Sequence, residues 1–264
     1  MPHVDLVLQG DVVVTMNAEG DLFSPGAVAI RGANIVAVGP QEVITAEYSA
    51  GEVLDCAGHA IIPGLVNAHT HVPMSLLRGL ADDLRLDVWL LGYMMPVERE
   101  FVGPDFCRVG SLLSAAEMIR SGTTCCNDMY YYEDSVAEAM DQAGLRAILG
   151  QTILKFPSPD AQSYEEALAR CRAFIARWRG HPRIMPAVAP HAPYTCTAQI
   201  LQEASALAVE CDVPLHIHLS ETASEVEESV RERGMPPVEW VAQLGLFTGK
   251  VVAAHCVHVN DSEI

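Results

Sequence analysis

From about residue 60 onward, short apolar segments alternate with helical ones, and this alternation restricts the possible fold more than any other feature of the sequence. The apolar segments cover 61–67, 123–129, 145–153, 183–189, 213–219 and 251–257. The helical segments cover 104–121, 133–143, 163–180, 197–211 and 222–245. Strands that are apolar throughout, rather than alternating, indicate a parallel sheet covered on both faces. We therefore expect an α/β fold, either a (β/α) barrel or an open doubly wound sheet.

The glycine pattern and the strand count narrow this choice. No Gly-x-Gly-x-x-Gly motif follows the first apolar segment, which disfavours a dinucleotide-binding fold. The alternative is a (β/α)8 TIM-type barrel, which needs eight strands, whereas six are visible before the sequence ends at Ile264. We therefore expect residues 59–264 to form a barrel that is truncated after its sixth strand.

Residues 1–58 have a different sequence pattern. Short β-rich segments over 4–8, 12–16, 27–30 and 35–38 are separated by Gly, Asn, Asp and Pro. This pattern predicts a small N-terminal portion of a β-sandwich ahead of the barrel.

Composition excludes several classes of function. The net charge is -18, from 34 acidic and 16 basic residues, which disfavours binding to nucleic acid or to an anionic membrane. None of the eight cysteines forms a Cys-x-x-Cys pair, and no signal peptide or long apolar span is visible. We therefore expect a cytoplasmic protein in a reducing compartment.

Histidines and carboxylates follow the predicted strands, where a parallel barrel places its chemistry. Five of the six strand ends carry such residues: His69 and His71, Asn127 and Asp128, His191, His218 and Glu221, and His255. Side chains two apart on a strand point to one face, so His69 and His71 should face the same way. The strand ends should therefore converge on one site.

Metal chemistry explains this choice of residues. Three neutral imidazoles bind a divalent ion and leave one position open for water, whose pKa falls to near 7. A carboxylate beside the ion can take the proton of that water and deliver it to a substrate, and Glu221 is placed for this role. The other interpretation of Glu221 is an acidic residue in the first turn of the next helix. We interpret His216 as a structural histidine pointing deeper into the barrel.

These motifs resemble the amidohydrolase superfamily, a family of metal-dependent hydrolases built on TIM-type barrels. The resemblance is greatest to the 5'-methylthioadenosine/S-adenosylhomocysteine deaminases, with the triazine hydrolases as relatives. It runs through essentially the whole chain, and the segments that carry it are 63–71, 74–79, 190–194, 216–222 and 254–258.

The resemblance implies a role for each candidate residue. His69, His71 and His218 would be metal ligands. Glu221 would carry a proton to the ring nitrogen of the substrate, and His255 would orient the attacking water. The remaining implied residues would contact the substrate: Trp89 as an aromatic wall, Glu98 as a ribose-binding acid, and His191.

The sequence departs from the family pattern in ways that bear on metal and substrate. The family's last metal ligand, an aspartate on the eighth strand, would lie beyond Ile264. The fourth strand lacks the lysine of two-metal members, so we expect one ion, with zinc favoured and iron as the alternative. An arginine for the homocysteine tail is missing after the third strand, where Lys155 is the nearest cation. An adenosine derivative without this tail is therefore easier to support.

Three functional hypotheses remain open. The first is a metal-dependent deaminase of an adenosine-type nucleoside, releasing ammonia. The second is a hydrolase of triazines or other heterocycles, in which a chloride leaving group needs no proton. The third is a catalytically incomplete fragment, whose open sheet edge would favour self-association into a homo-oligomer. In the first two cases the partner is a small heterocyclic substrate.

Overall fold

The computed structural model describes all residues from Met1 to Ile264. The chain divides into two compact units, Met1–Gly64 and Leu65–Ile264. The boundary expected from the sequence, after residue 58, would fall within the strand Ser49–Ile61 of the first unit.

The first unit is one five-stranded sheet with a single short helix. Its elements are β1 (His3–Val14), β2 (Leu22–Phe23), β3 (Gly26–Arg31), β4 (Asn34–Pro40), α1 (Gln41–Glu47) and β5 (Ser49–Ile61). The central strand β1 pairs antiparallel with β2 and β3, and parallel with β5. Val4, Val7, Ala27, Ala29 and Ile44 form its small apolar core.

Two details of this unit differ from the sequence prediction. The segments 4–8 and 12–16 are not separate strands, since β1 runs continuously through the acidic Asp11. Strand β5 was not predicted, because its glycines and acidic residues are typical of loops. Pairing along the full length of β1 overrides that local preference.

The second unit is built on a six-stranded parallel sheet. Its strands are β6 (Leu65–Thr70), β7 (Thr123–Tyr130), β8 (Arg146–Ile153), β9 (Ile184–Pro190), β10 (Leu215–Leu219) and β11 (Val251–His255). They lie side by side in chain order, with β6 and β11 at the two edges. This arrangement, with helices between successive strands, confirms the predicted α/β fold of the barrel type.

Helices connect the strands and cover the sheet. They are α2 (Leu86–Trp89), α3 (Met95–Phe101), α4 (Pro104–Arg120), α5 (Glu133–Ala143), α6 (Tyr164–Trp178), α7 (Ala198–Cys211), α8 (Ala223–Arg233) and α9 (Pro237–Gln243). The single helix predicted over 222–245 is wrong. The chain turns at Gly234, where φ is 76°, and α9 begins at Pro237, whose ring suits a first helical position.

Two large apolar clusters pack between the sheet and these helices. Their fully buried members hold the strands in place, for example Leu149, Phe174, Ile200 and Ile217. The carboxyl ends of the six strands therefore lie together at one end of the sheet. None of the helices combines the length and the apolar character needed to cross a bilayer.

Candidate metal centre and active site

A cavity of about 350 Å3 opens at the carboxyl ends of the strands. Every residue to which the resemblance gave a role lines it: His69, His71, Trp89, Glu98, His191, His218, Glu221 and His255. They come from the ends of four strands, β6, β9, β10 and β11, and from the α2–α3 segment. The cavity therefore brings together residues that lie far apart in the chain.

An irregularity in the sheet sets the direction of the first two histidines. The pairing of β6 with β7 shifts register between Asn67 and Thr70. The side-chain amide of Asn127 donates a hydrogen bond to the Ala68 carbonyl (3.0 Å) within this irregular stretch. Such local departures from regular pairing redirect side chains at the ends of strands. Here His69 lies within the irregular stretch, and His71 directly follows it.

His71 and His218 face one another through the same ring atom. His71 Nδ1 donates to the Met129 carbonyl (2.6 Å), and His218 Nδ1 donates to the His191 carbonyl (2.8 Å). A carbonyl only accepts hydrogen bonds, so both protons lie on Nδ1 and both Nε2 atoms carry lone pairs. These Nε2 atoms are 3.3 Å apart. Two lone pairs at this distance repel unless a cation lies between them, so the donor set fits a metal ion.

His69 and His255 complete the cluster. Ring nitrogens of His69, His218 and His255 all lie within 4.8 Å of one another. The ring centroid of His69 is 4.9 Å from those of His71, His218 and His255. The ring of His255 is therefore as close to the His69 ring as those of His71 and His218 are.

The electrostatics keep these imidazoles neutral, as metal binding requires. Burial, and to a smaller extent the neighbouring histidines, lower the pKa of His69 to about 3. The pKa values of His71 and His218 are also lowered, with burial again the largest cause. Each ring therefore has a free lone pair at neutral pH.

Glu221 directs its carboxylate into the cavity and lies 3.5 Å from His255 Nε2. Burial raises the pKa of this carboxyl. A different acidic residue, Glu225, caps the helix that follows. The Thr222 hydroxyl accepts a hydrogen bond from the Glu225 amide. The Glu225 carboxylate accepts hydrogen bonds from the Ser220 and Glu221 amides. This reciprocal cap occupies Glu225 and leaves Glu221 for the cavity.

The three implied substrate residues also lie at the cavity, each with a distinct environment. Trp89 is half-buried at the end of α2, next to a π-helical turn at Leu90–Met94. Glu98 is only 5% exposed and accepts a hydrogen bond from the Tyr130 hydroxyl (2.8 Å). His191 Nδ1 lies 2.9 Å from Thr195 Oγ1.

Several lining residues were not identified from the sequence, among them Tyr130, Thr152 and Tyr194. Tyr130 directly follows the strand end that carries Asn127 and Asp128, which was the available signal. Asn127 and Asp128 themselves bind main-chain groups and do not line the cavity: Asp128 accepts from the Val72 amide (2.6 Å).

Lys155, the cation nearest to the end of the third barrel strand, does not line the main cavity either. Its ammonium donates to the Tyr194 carbonyl (2.8 Å). The cavity wall at the end of β8 is formed by Thr152, which carries no charge.

Comparison with protein families identifies the family to which this fold belongs. The amidohydrolase family profile matches residues 60–264. The chain belongs to the amidohydrolase family. The predicted resemblance is thereby confirmed, and the matched residues include the whole sheet that carries the histidine cluster.

Two similar amidohydrolases cover nearly all of this chain. A 5-methylthioadenosine/S-adenosylhomocysteine deaminase from Nitratidesulfovibrio vulgaris is 44% identical over 260 residues, which are 98% of this chain and 59% of that protein. The structure of an adenosine deaminase from Xanthomonas campestris with bound zinc is 39% identical, with a TM-score of 0.94, over 99% of this chain and 60% of that one. The chain thus spans about three fifths of the length of either protein.

A solved structure of lower sequence identity has the same fold. The structure of a triazine hydrolase from Arthrobacter aurescens is 20% identical and has a TM-score of 0.88, over 98% of this chain and 62% of that one. At this identity the likeness establishes the fold and nothing about the substrate.

Proposed function

We propose that this amidohydrolase is a metal-dependent deaminase that hydrolyses the exocyclic amine of an adenosine-type nucleoside. The observation that carries the proposal is a cluster of four histidines beside a carboxylate that takes no part in helix capping. The histidines are His69, His71, His218 and His255, and the carboxylate is that of Glu221. The similarity to proteins named as adenosine-type deaminases supports the substrate class.

His69, His71 and His218 would hold a single divalent ion. A bound ion of this kind lowers the pKa of a water molecule to near 7, so that a nucleophile is available at neutral pH. Zinc is the proposed metal, because it suits imidazole ligands and because the similar adenosine deaminase contains it. Iron is the alternative. Strand β9 contains no lysine, the residue that bridges two ions in some members of the family, which favours one ion.

Glu221 would move the protons of the reaction. Its carboxylate would take one proton from the attacking water and pass it to the ring nitrogen, and would then pass the second proton of that water to the amine. The C–N bond would break as ammonia leaves, and the ring would keep a C=O and an N–H in place of its amidine. Burial raises the pKa of Glu221 and so makes it a better base than an exposed carboxylate. His255, 3.5 Å away, would orient the water.

The wall opposite the histidines would bind the nucleoside. Glu98, held by Tyr130, would accept hydrogen bonds from the ribose hydroxyls, while the Trp89 ring would cover the base. His191 would contact the base from the β9 side. Because no cationic residue lines the cavity, we propose 5'-methylthioadenosine or a similar tail-less adenosine derivative rather than S-adenosylhomocysteine.

Replacing Glu221 tests this mechanism. We expect Glu221→Gln to retain metal and to lose about 100- to 10,000-fold in kcat on 5'-methylthioadenosine, because the proton carrier is gone. Ammonia release and elemental analysis measure the two quantities. The matched control is Glu227→Gln, an exposed glutamate on the next helix, which should behave as wild type.

The same variant separates the deaminase from a triazine hydrolase. Chloride leaves without a proton, so Glu221→Gln should retain turnover of a chlorotriazine if that is the true substrate class. Wild-type rates on 5'-methylthioadenosine and on a chlorotriazine, measured side by side, decide between them. A Glu221→Gln variant with near wild-type deamination would show that the proton-transfer role is wrong.

A further inference from the structure

His216 lies deeper in the sheet than the cluster, but it contacts the cluster directly. It is a fully buried residue of β10, two positions before His218. Its Nε2 lies 2.9 Å from His69 Nδ1, and the two rings meet edge to face with centroids 5.0 Å apart. A histidine with a purely packing role would not need this hydrogen-bonding distance to a second imidazole.

Only one proton can lie between these two nitrogens, so the pair has two neutral arrangements. In the first, His69 Nδ1–H donates to His216 Nε2, and the lone pair of His69 is on Nε2. In the second, His216 Nε2–H donates to His69 Nδ1, and His69 carries its proton on Nε2. Only the first leaves the Nε2 lone pair of His69 available to an ion.

We propose that His216 is a positioning residue that accepts the Nδ1–H bond of His69 and so fixes the tautomer and ring orientation of this ligand. The inference rests on the proposed metal centre. Histidine ligands are generally oriented by a second group that accepts their other N–H. In this chain, main-chain carbonyls perform that task for His71 and His218, and His69 has an imidazole instead.

In the first arrangement the proton of His216 lies on Nδ1, which is buried and has no hydrogen-bond partner. The contact with His69 is therefore the one hydrogen bond of the His216 ring. An ion bound to His69 Nε2 would select this arrangement, because that nitrogen must then carry a lone pair.

Replacing the imidazole with and without a hydrogen-bond acceptor tests the proposal. We expect His216→Phe to weaken zinc binding about 10- to 100-fold, the usual effect of losing such a partner. His216→Gln keeps an oxygen that can accept from His69 and should recover most of the affinity. Zinc dissociation constants come from competition with a chromophoric chelator, and thermal melts of the metal-free variants show whether each is folded.

A second readout, by NMR spectroscopy, requires no measurement of metal affinity or turnover. In histidine-labelled protein, long-range 1H–15N spectra report which nitrogen of His69 carries the proton. We expect Nδ1 in the zinc-loaded wild type and in His216→Gln, and a mixture of tautomers in metal-free His216→Phe. The absorption spectrum of the cobalt-substituted protein should also change in His216→Phe and return towards wild type in His216→Gln.

The outcomes separate this inference from the proposed function. Equal zinc affinity in wild type and His216→Phe, or equal losses in the Phe and Gln variants, would overturn the positioning role. If wild type binds no zinc, the proposed metal centre fails. The spectra of the metal-free protein then still decide about His216, since a His69 proton found on Nε2 in wild type contradicts the inference.

Discussion

Glu98 is the residue whose ionisation should most affect substrate binding. Burial raises its pKa to about 7, and the hydrogen bond from Tyr130 opposes this only partly. Around neutral pH the free protein therefore holds Glu98 partly protonated. Ribose hydroxyls would donate to the ionised form, so binding would release the proton.

This gives a pH-dependent KM. Below pH 7, where Glu98 gains its proton, we expect the KM for 5'-methylthioadenosine to rise by up to about tenfold per pH unit, and to level off above pH 7. Glu98→Gln should raise KM and remove this dependence. Initial rates between pH 5.5 and 8.5 measure it, and a KM profile that stays flat in wild type would contradict the assignment.

At the same scale, the sequence predicted which residues meet but not which atoms they use. The spacing of His69 and His71 and the positions of His218, Glu221 and His255 were enough to predict a common site. The tautomers depend on carbonyls and rings supplied by other strands. His216 therefore could not be recognised as a partner of His69, because the 2.9 Å contact joins β6 to β10.

Among the elements, the end of β7 is hydrogen-bonded to the segment that directly follows His69 and His71. Asp128 is 0% exposed and accepts from the Val72 amide, and Glu133 accepts from the Tyr130 amide. Burial is the main reason that the pKa values of both carboxyls are raised. The folded protein therefore retains protons that the unfolded chain releases above about pH 4.

This proton retention makes the fold less stable as pH rises, since the unfolded state then binds fewer protons than the native state. Asp128→Asn keeps an oxygen for the Val72 amide but cannot ionise. We expect its free energy of unfolding to fall less steeply than that of wild type between pH 6 and pH 9. A smaller dependence will remain, because Glu133 still titrates. Urea unfolding at the two pH values measures the difference.

Asp128→Ala is the control, because it also removes the oxygen. The Val72 amide then loses its partner, at a cost of about 1–3 kcal/mol at every pH. Parallel stability curves for wild type and Asp128→Asn would show that Asp128 is already ionised in the folded protein.

Element boundaries show where sequence patterns succeed and where they do not. All six barrel strands and the long helices from α4 to α7 were predicted, because apolar runs and cap residues such as Gly144 are local signals. The α2–α3 segment was missed, although it supplies Trp89 and Glu98. Its helices are four and seven residues long, too short to show a clear periodicity.

For the whole molecule, the proposed ion should contribute to stability as well as to catalysis. A ligand that binds only the folded state stabilises it by about 2.7 kcal/mol at one hundred times its dissociation constant. For a chain of this size, each kcal/mol shifts Tm by about 2–4 °C. We therefore expect a chelator to lower Tm by about 5–10 °C.

Thermal melts with and without chelator, followed by added zinc, check this expectation. Zinc should restore the original Tm in wild type but not in His71→Ala, in which one of the opposed lone pairs is gone. An unchanged melting curve in chelator, from protein shown by elemental analysis to contain zinc beforehand, would contradict a stabilising role for the ion.

The opposed nitrogens of His71 and His218 lie 147 positions apart in the chain, on strands that do not pair with each other. An ion shared by them is therefore a removable cross-link across the sheet. By the entropy estimate used for disulfides, tying the ends of a segment of about 100 residues restricts the unfolded chain by about 4.7 kcal/mol, and a longer segment is restricted slightly more. Withdrawal of the ion would free β6 from β10, so the edge strand and the segment leading to α4 should become the first part of the barrel open to a protease.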